Sequence, residues 1–484
     1  MVVNVDQGTS RRADVLIAQD RIEAVAAPDT LPPEGCEVLD MSERLLIPGL
    51  INVHTHGHGF FNKGLGDRWP LELLLAAGAW MSSGRTTQDK ELVGLLGAAE
   101  LAAKGTTTCY DLFLELPLPT RDGMGALASA YSKVGIRAVI APMVSDITLY
   151  DALPGLAHGL PPKMRAAVEG FRTAGYGAAL EACREILKDW SSTADDIQVA
   201  LAPAIPLHCS DAFLVELDRL AREFHLGIHT HLAESSLQVS AARLRYGASL
   251  VEHLEKLRLL DRRFTVAHAV WLSEGDLTML ADRGVSIAHN AGSNLRLGAG
   301  IARARDMLDR GIAVGIGTDT CSCSDHLNMF EAIRCACSVS RVRERDHGRW
   351  LTAREALFAG TVGGARVLGR DHELGRIAPG YLADIVSLDL NRPQYIPLND
   401  AVLQIVFAED GTGVDRVMVG GRDIVRDGRV IGIDLRQLRE RASETQARLK
   451  AANEPLRQFF LRAEPHISAF YRSQVTGAAN SLEG

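Results

Sequence analysis

Two histidines one residue apart, His54 and His56, stand at the end of an apolar run, Leu50–His56. On an extended strand, residues two apart project to the same face, so both imidazoles can reach a single cation. Taken alone, such a pair reads more simply as two polar residues meeting solvent. Three further groups change that balance. His231, in His229-Thr230-His231, and then His268 and Asp319 each close another short apolar run. Strands of a parallel barrel present their C-terminal ends to one mouth, so four strand ends would deliver imidazole or carboxylate to one small volume. Three histidines and a carboxylate suit zinc or iron(II), with a position left for water. Unrelated polar caps would require a fourfold coincidence.

Glu234 follows His231 by three residues. A carboxyl there can move protons between water and a substrate nitrogen, or it can complement a helix N-terminus; the two roles are compatible. His268 reads either as a ligand or as a group that orients the attacking hydroxide. Asp319 reads as a ligand that can also take a proton from water.

Eight apolar runs alternate with segments of helical period, the pattern of parallel βα units. They are Leu50–His56, Thr106–Leu112, Ile136–Val144, Gln198–Ala204, Gly227–Ala233, Phe264–Val270, Val285–His289 and Ala313–Asp319. The expected fold class is α/β, a (β/α)8 barrel over residues 49–374, with a partly helical insertion at Asp146–Ser192 near its mouth. The ends read differently. Ala13–Ala26 alternates as a strand pair turning at Gln19-Asp20, and Glu37–Met41 reads as a further strand. Leu382–Leu390, Val414–Val419 and Asp423–Val430 repeat that character. These predict a small β-sandwich domain composed of both termini, residues 1–48 and 375–434. Residues 435–484 predict a helical extension.

The 484 residues are 46% hydrophobic and 23% charged, an ordinary globular composition. A net charge of −8 argues against a nucleic-acid partner. No apolar run is long enough to span a bilayer, and no signal-peptide core follows Met1, which points to the cytosol. The Cys321/Cys323 and Cys335/Cys337 pairs have the wrong spacing for a structural zinc site and read as small core residues.

These residues, in this order, resemble the amidohydrolase superfamily, specifically its cytosine-deaminase-like or chlorohydrolase branch, which includes S-adenosylhomocysteine deaminases. The landmarks are Pro48 to His56, His229 to Ser235, Val266-Ala267-His268, His289-Asn290, Ser293-Asn294-Leu295, Gly317-Thr318-Asp319, and Pro379-Gly380 leading to Ala383-Asp384-Ile385-Val386. The resemblance implies one divalent ion per chain, zinc or iron(II), held by His54, His56, His231 and Asp319. Glu234 would be the proton shuttle, and His268 would position the hydroxide. Binuclear branches use a lysine on the fourth strand; none lies between Gln198 and Ser210. The resemblance further implies a homo-oligomer, a dimer or tetramer, acting on a small molecule.

Two departures bear on substrate. Adenosine-type members carry Pro-His-Ala-Pro on the fourth strand, where this chain has Pro203-Ala204-Ile205-Pro206. His208, four residues on, reads as a replacement imidazole or as a loop residue. Asn290 is followed by Ala291 where relatives usually have proline, a change expected to affect backbone rigidity. Lys63 and Trp69, in the loop after the first strand, and His289 are candidate substrate contacts, against a structural lid anchored by Trp69. Arg137 lies towards the barrel bottom and reads as structural. The expected activity is hydrolytic deamination of an aminated heterocycle such as a purine, pyrimidine, pterin or triazine. Loss of a cyclic-amide, alkylamine or halide group is the alternative, and a catalytically inactive scaffold is the competing class. The zinc nucleobase deaminases of the C-x-x-C type are excluded, because the chain has no such motif.

Overall fold

The computed structural model describes residues 1–170, 175–188, 190 and 196–482. Eight parallel staves form its centre. They are β1 (Leu50–Thr55), β2 (Thr106–Leu114), β3 (Arg137–Val144), β4 (split into Ile197–Val199 and Ala202–Pro203), β5 (Ile228–Leu232), β6 (Phe264–His268), β7 (Ser286–His289) and β8 (Val314–Ile316). Pairing runs β1-β2-β3-β4 and β5-β6-β7-β8. Two parallel bridges, Leu201↔Ile228 and Thr55↔Asp319, join these arcs and close the barrel. All six residues of β1 are buried, as expected of a stave with side chains inside the barrel and helices outside. Outside it, Leu92, Leu101, Met124 and Leu127 pack over one arc. Leu217, Leu220, Leu254 and Leu277 pack over the other.

All eight expected runs contain a stave, and the mismatches are at their ends. Gly317 follows β8 and permits the closure at the mouth: a Cβ there would lie 2.3 Å from Asn290 Oδ1 and 2.7 Å from His54 Cβ.

Both chain ends enter one seven-stranded sheet. Its order is Arg429–Val430, Arg422–Arg426, Val414–Val419, Ile385–Asp389, Arg44–Pro48, Val2–Asn4 and Thr9–Arg11. Arg44–Pro48 pairs antiparallel with Ile385–Asp389, the join between the two ends. The hairpin Asp14–Ala18/Arg21–Ala26 turns at Gln19-Asp20 and packs Ile22 against Ala383 and Ile385. The expected strand at Glu37–Met41 is a correction. That segment has no strand, with Val38 69% and Leu39 40% exposed. The place beside Ile385–Asp389 goes instead to Arg44–Pro48, whose Leu45 and Ile47 are fully buried. Arg137 lies at the barrel bottom, its guanidinium donating to Asp384 at 2.9 Å and pairing with Asp196.

The segment after β3 contains helices Leu149–Ala152, Pro162–Glu169 and Tyr176–Lys188; residues 171–174, 189 and 191–192 of the expected insertion lie outside the described residues. The expected helical end comprises Leu435–Ala452 and Glu454–Leu482. Phe460 of the last helix is buried against Trp69 and Trp80. Among the described residues no helix is long and apolar enough to cross a membrane. All eight cysteines are free thiols.

Candidate active site and metal centre

The mouth of the barrel gathers His54 and His56 from β1, His231 from β5, His268 from β6 and Asp319 beyond β8. Ligand atoms of His54, His56 and His231 lie within 4.8 Å of one another, as do those of His54, His268 and Asp319. Hydrogen bonds on the far side of each ring decide what these atoms can do. His56 Nδ1 donates to the Leu112 carbonyl at 2.7 Å, and His231 Nδ1 donates to the Ala204 carbonyl at 2.6 Å. Each ring therefore carries its proton on Nδ1, leaving Nε2 as a bare lone pair. Those two Nε2 atoms face each other at 3.1 Å. Two acceptors cannot bond one another, so the arrangement calls for a cation between them. His54 completes it: its Nδ1 lies 3.2 Å from His229 Nε2, and its buried Nε2 has no hydrogen-bond partner among the described residues.

Asp319 supplies the anionic side. Its Oδ1 lies 3.2 Å from His56 Nε2 and 3.6 Å from His54 Nε2. Oδ2 accepts the Ser293 hydroxyl at 2.6 Å, and the Cys323 thiol lies 3.3 Å from it. This donor set fits a divalent cation. Asp319, His268, Ala269 and Ala233 all adopt positive φ, from +49° to +70°, so backbone strain is concentrated where the mouth is built.

Electrostatics divide the two carboxyls. Burial works against the Asp319 carboxylate, but the imidazoles of His54, His56 and His268 grouped around it outweigh burial and hold Asp319 well below the usual range. Glu234, 1% exposed, is pushed well above its usual range by burial, then by the charges of Asp319 and Glu72. Its Oε2 has no hydrogen-bond partner among the described residues, and lies 3.6 Å from His268 Nε2. Two neighbouring carboxyls driven apart in this way are suited to opposite roles, one ionised and one neutral. His268 gives its Nδ1 proton to Asn294 Oδ1 at 2.8 Å, so its Nε2 faces inwards as an acceptor, 3.4 Å from Asn290 Nδ2 and 3.7 Å from Asp319 Oδ2. Burial lowers the pKa of His54 to about 4 and lowers those of His231 and His268, favouring neutral imidazoles. Burial also opposes charge on His56, but Asp319 beside it leaves it raised.

The four candidate substrate contacts are placed very differently. His289, at the end of β7, is 1% exposed, both ring nitrogens lack partners among the described residues, and burial lowers it to about 4. Lys63 pairs with Glu100 and stands 4.0 Å over the Phe60 ring. Trp69 packs edge-on against Phe460, its centroid 5.1 Å away. The His208 carbonyl receives the amides of Asp146 and Ile147, which follow β3. The structure brings His289 towards the cluster and gives Lys63 and Trp69 structural partners. Ala204 contributes only its carbonyl, to His231.

Several residues of the site escape a reading of strand ends. His229 and Asn294 set ring orientation, and Ser293 holds Asp319. Asp111 accepts the Gly57 amide and the Tyr131 hydroxyl beneath His56. Glu72 accepts the Ser235 hydroxyl beside Glu234. The landmarks His229 to Ser235 and Ser293-Asn294-Leu295 were the available signals; Glu72 lies in an apolar helical segment and gives none.

Comparisons with known proteins bear on the family and the fold. A family profile described as "Amidohydrolase family" matches residues 45–424. A 5'-deoxyadenosine deaminase of Methanothermobacter thermautotrophicus is 34% identical, over 92% of this chain and 96% of that protein. A 5-methylthioadenosine/S-adenosylhomocysteine deaminase of Desulforudis audaxviator is 31% identical, over 91% and 96%. Among solved structures, an adenosine deaminase from Xanthomonas campestris with bound zinc shares the fold, with a TM-score of 0.82 at 24% identity over 93% of this chain and 97% of that one. An atrazine chlorohydrolase from Arthrobacter aurescens TC1, complexed with zinc, has a TM-score of 0.79 at 25% identity over 89% and 94%.

Proposed function

Because the chain belongs to the amidohydrolase family, we propose that it is a metal-dependent aminohydrolase releasing ammonia from an aminated nitrogen heterocycle. The observation that carries this reading is the set of three bare Nε2 atoms, on His54, His56 and His231, converging beside an ionised Asp319. A divalent cation, zinc or iron(II), held by those four side chains would supply Lewis-acid activation of water. Two zinc-bound structural neighbours support zinc.

The protein's own groups then account for the proton movements. Asp319, kept ionised at its position among three imidazoles, accepts the proton that leaves water. Glu234, kept neutral by burial, gives its Oε2 proton to a ring nitrogen of the substrate and so makes the adjacent carbon electrophilic. His268 Nε2, aimed by Asn294 and lying between the two carboxyls, orients the attacking oxygen. The amino group leaves as ammonia after taking up a proton. His289 supplies a further polar surface, while Lys63, Trp69 and His208 bear on substrate through the walls they hold.

The names of the curated relatives favour a purine nucleoside class of substrate. Ala204 argues that such a substrate is not read by the imidazole that the adenosine-type branch carries there. The similarity to a chlorohydrolase supports a second reading, expulsion of halide or alkylamine by the same groups. The proposal includes a barrel over residues 49–374, a composite β-sandwich unit (1–48 and 375–434), a helical extension (435–484), and a dimeric or tetrameric enzyme of the cytosol.

The test is a metal-verified screen of aminated heterocycles for ammonia, amine and chloride release. About one metal per chain with ammonia release supports the deaminase; amine or chloride release alone moves the assignment to the second reading. Failure to bind zinc or iron(II) would leave an inactive scaffold.

A further inference from the structure

The last residues of β2 hold the two histidines that follow β1 in opposite states. The Leu112 carbonyl takes the Nδ1 proton of His56, which leaves His56 Nε2 as a bare ligand atom. Two residues on, the Leu114 amide donates to His58 Nδ1 at 3.1 Å. An N–H can donate only to an unprotonated nitrogen, so His58 carries its proton on Nε2. Neither nitrogen of His58 is then free to ligate a metal: one lone pair is taken, and the other nitrogen holds hydrogen.

An imidazole N–H is therefore left beside the metal site with nothing to bond. His58 lies in the short turn Gly57–Asn62, its ring centroid 5.3 Å from that of His56. The residue is only 8% exposed, yet its Nε2 is not enclosed and has no hydrogen-bond partner among the described residues. Its carbonyl accepts from Arg85, and its ring packs edge-on to Phe113 at 5.9 Å, so the donor is held in place. A fixed donor this nearly buried is expected to meet an acceptor.

We propose that His58 Nε2–H binds an acceptor on the substrate, replacing the imidazole that is missing at Ala204. The inference rests on the deamination reading. In an eight-stave barrel β1 stands opposite β5, so His58 and Glu234 approach a bound ring from opposite flanks. With Glu234 at the ring nitrogen on one side of the reacting carbon, His58 meets the acceptor on the other side. In a 6-aminopurine that acceptor is N7. A C–H in its place would leave the donor unpaired.

The test uses zinc-loaded protein carrying Glu234→Gln, so that the probes are not consumed, and titrates adenosine and 7-deazaadenosine by calorimetry. Adenosine is expected to bind about fivefold more tightly, the worth of one hydrogen bond between neutral groups. Adding His58→Asn, whose side chain can still accept from Leu114 but ends short of Nε2, should bring the probes within about twofold. His58→Gln, which carries an N–H at the reach of Nε2, should restore part of the gap. Zinc content should be equal in all of these proteins. Equal binding of the two probes before His58 is changed, a gap that survives His58→Asn, loss of zinc in His58→Asn, or no binding of either probe would overturn the assignment. Ammonia release from adenosine by the unsubstituted enzyme is read separately. A gap that depends on His58 without ammonia keeps His58 and removes the deaminase; ammonia without a gap does the reverse.

Discussion

Replacing Glu234 by glutamine isolates proton delivery from every other part of the site. The amide occupies nearly the same space, and the Gln238 contact is to the Glu234 backbone and survives the change. None of the three bare Nε2 atoms is touched, so metal content should equal that of the wild type. What disappears is an acidic proton at Oε2, which burial and the Asp319 and Glu72 charges keep in place. A positioned general acid contributes about 10²–10⁴-fold, so kcat should fall by that factor, about 3–5 kcal/mol of barrier. In the unsubstituted enzyme, kcat should decline as rising pH strips Glu234 of its proton, and this limb should be absent from the residual activity of the variant. The assay is coupled detection of ammonia with metal quantified in the same sample. A kcat within about threefold of wild type, far short of a general acid's contribution, at full metal content would refute the proton-shuttle argument.

Gly317→Ala changes no ligand, yet its Cβ would intrude on Asn290 and His54. Metal bound per chain, measured after gel filtration, should drop sharply while circular dichroism stays folded; wild-type occupancy would contradict the packing argument. Asp111 is driven by burial from 3.8 up to about 6. Its folded value exceeds its unfolded one, so rising pH between these values favours the unfolded chain. In metal-free protein this costs about two pH units at 1.4 kcal/mol each, about 3 kcal/mol in all. Asp111→Asn should abolish that loss, so denaturation at pH 4.5 and pH 7 should show a smaller stability difference than in wild type. An unchanged difference would mean that Asp111 is not the group responsible.

The barrel was legible because a stave buried on both faces reads as an apolar run, and an imidazole or carboxylate at its end stands out against that run. His54, His56, His231, His268 and Asp319 all announce themselves this way. The atoms that fix their protons do not. His56 and His231 are oriented by the carbonyls of Leu112 and Ala204, and any residue type supplies a carbonyl. Glu72 was invisible for another reason: its partner Ser235 lies 163 residues away, and a lone acid near a helix start is ordinarily a helix-dipole residue. At the ends, Glu37–Met41 and Arg44–Pro48 carry comparable patterns. Competition for the place beside Ile385–Asp389 decided between them, a contact no local window contains.

The strand Arg44–Pro48 has a consequence for how the chain is made. Its antiparallel partner Ile385–Asp389 leaves the ribosome roughly 340 residues after it, about 20–70 s at ordinary elongation rates. Through that interval Leu45 and Ile47, fully buried in the finished protein, lack the strand that covers them. Arg137 has Asp196 available 59 residues later, but its second carboxylate, Asp384, comes only with the late strand. The nascent chain therefore exposes an unsatisfied sheet edge until Ile385–Asp389 has been made. The faster the intervening βα units assemble, the shorter the time that edge stands open to pairing with another chain.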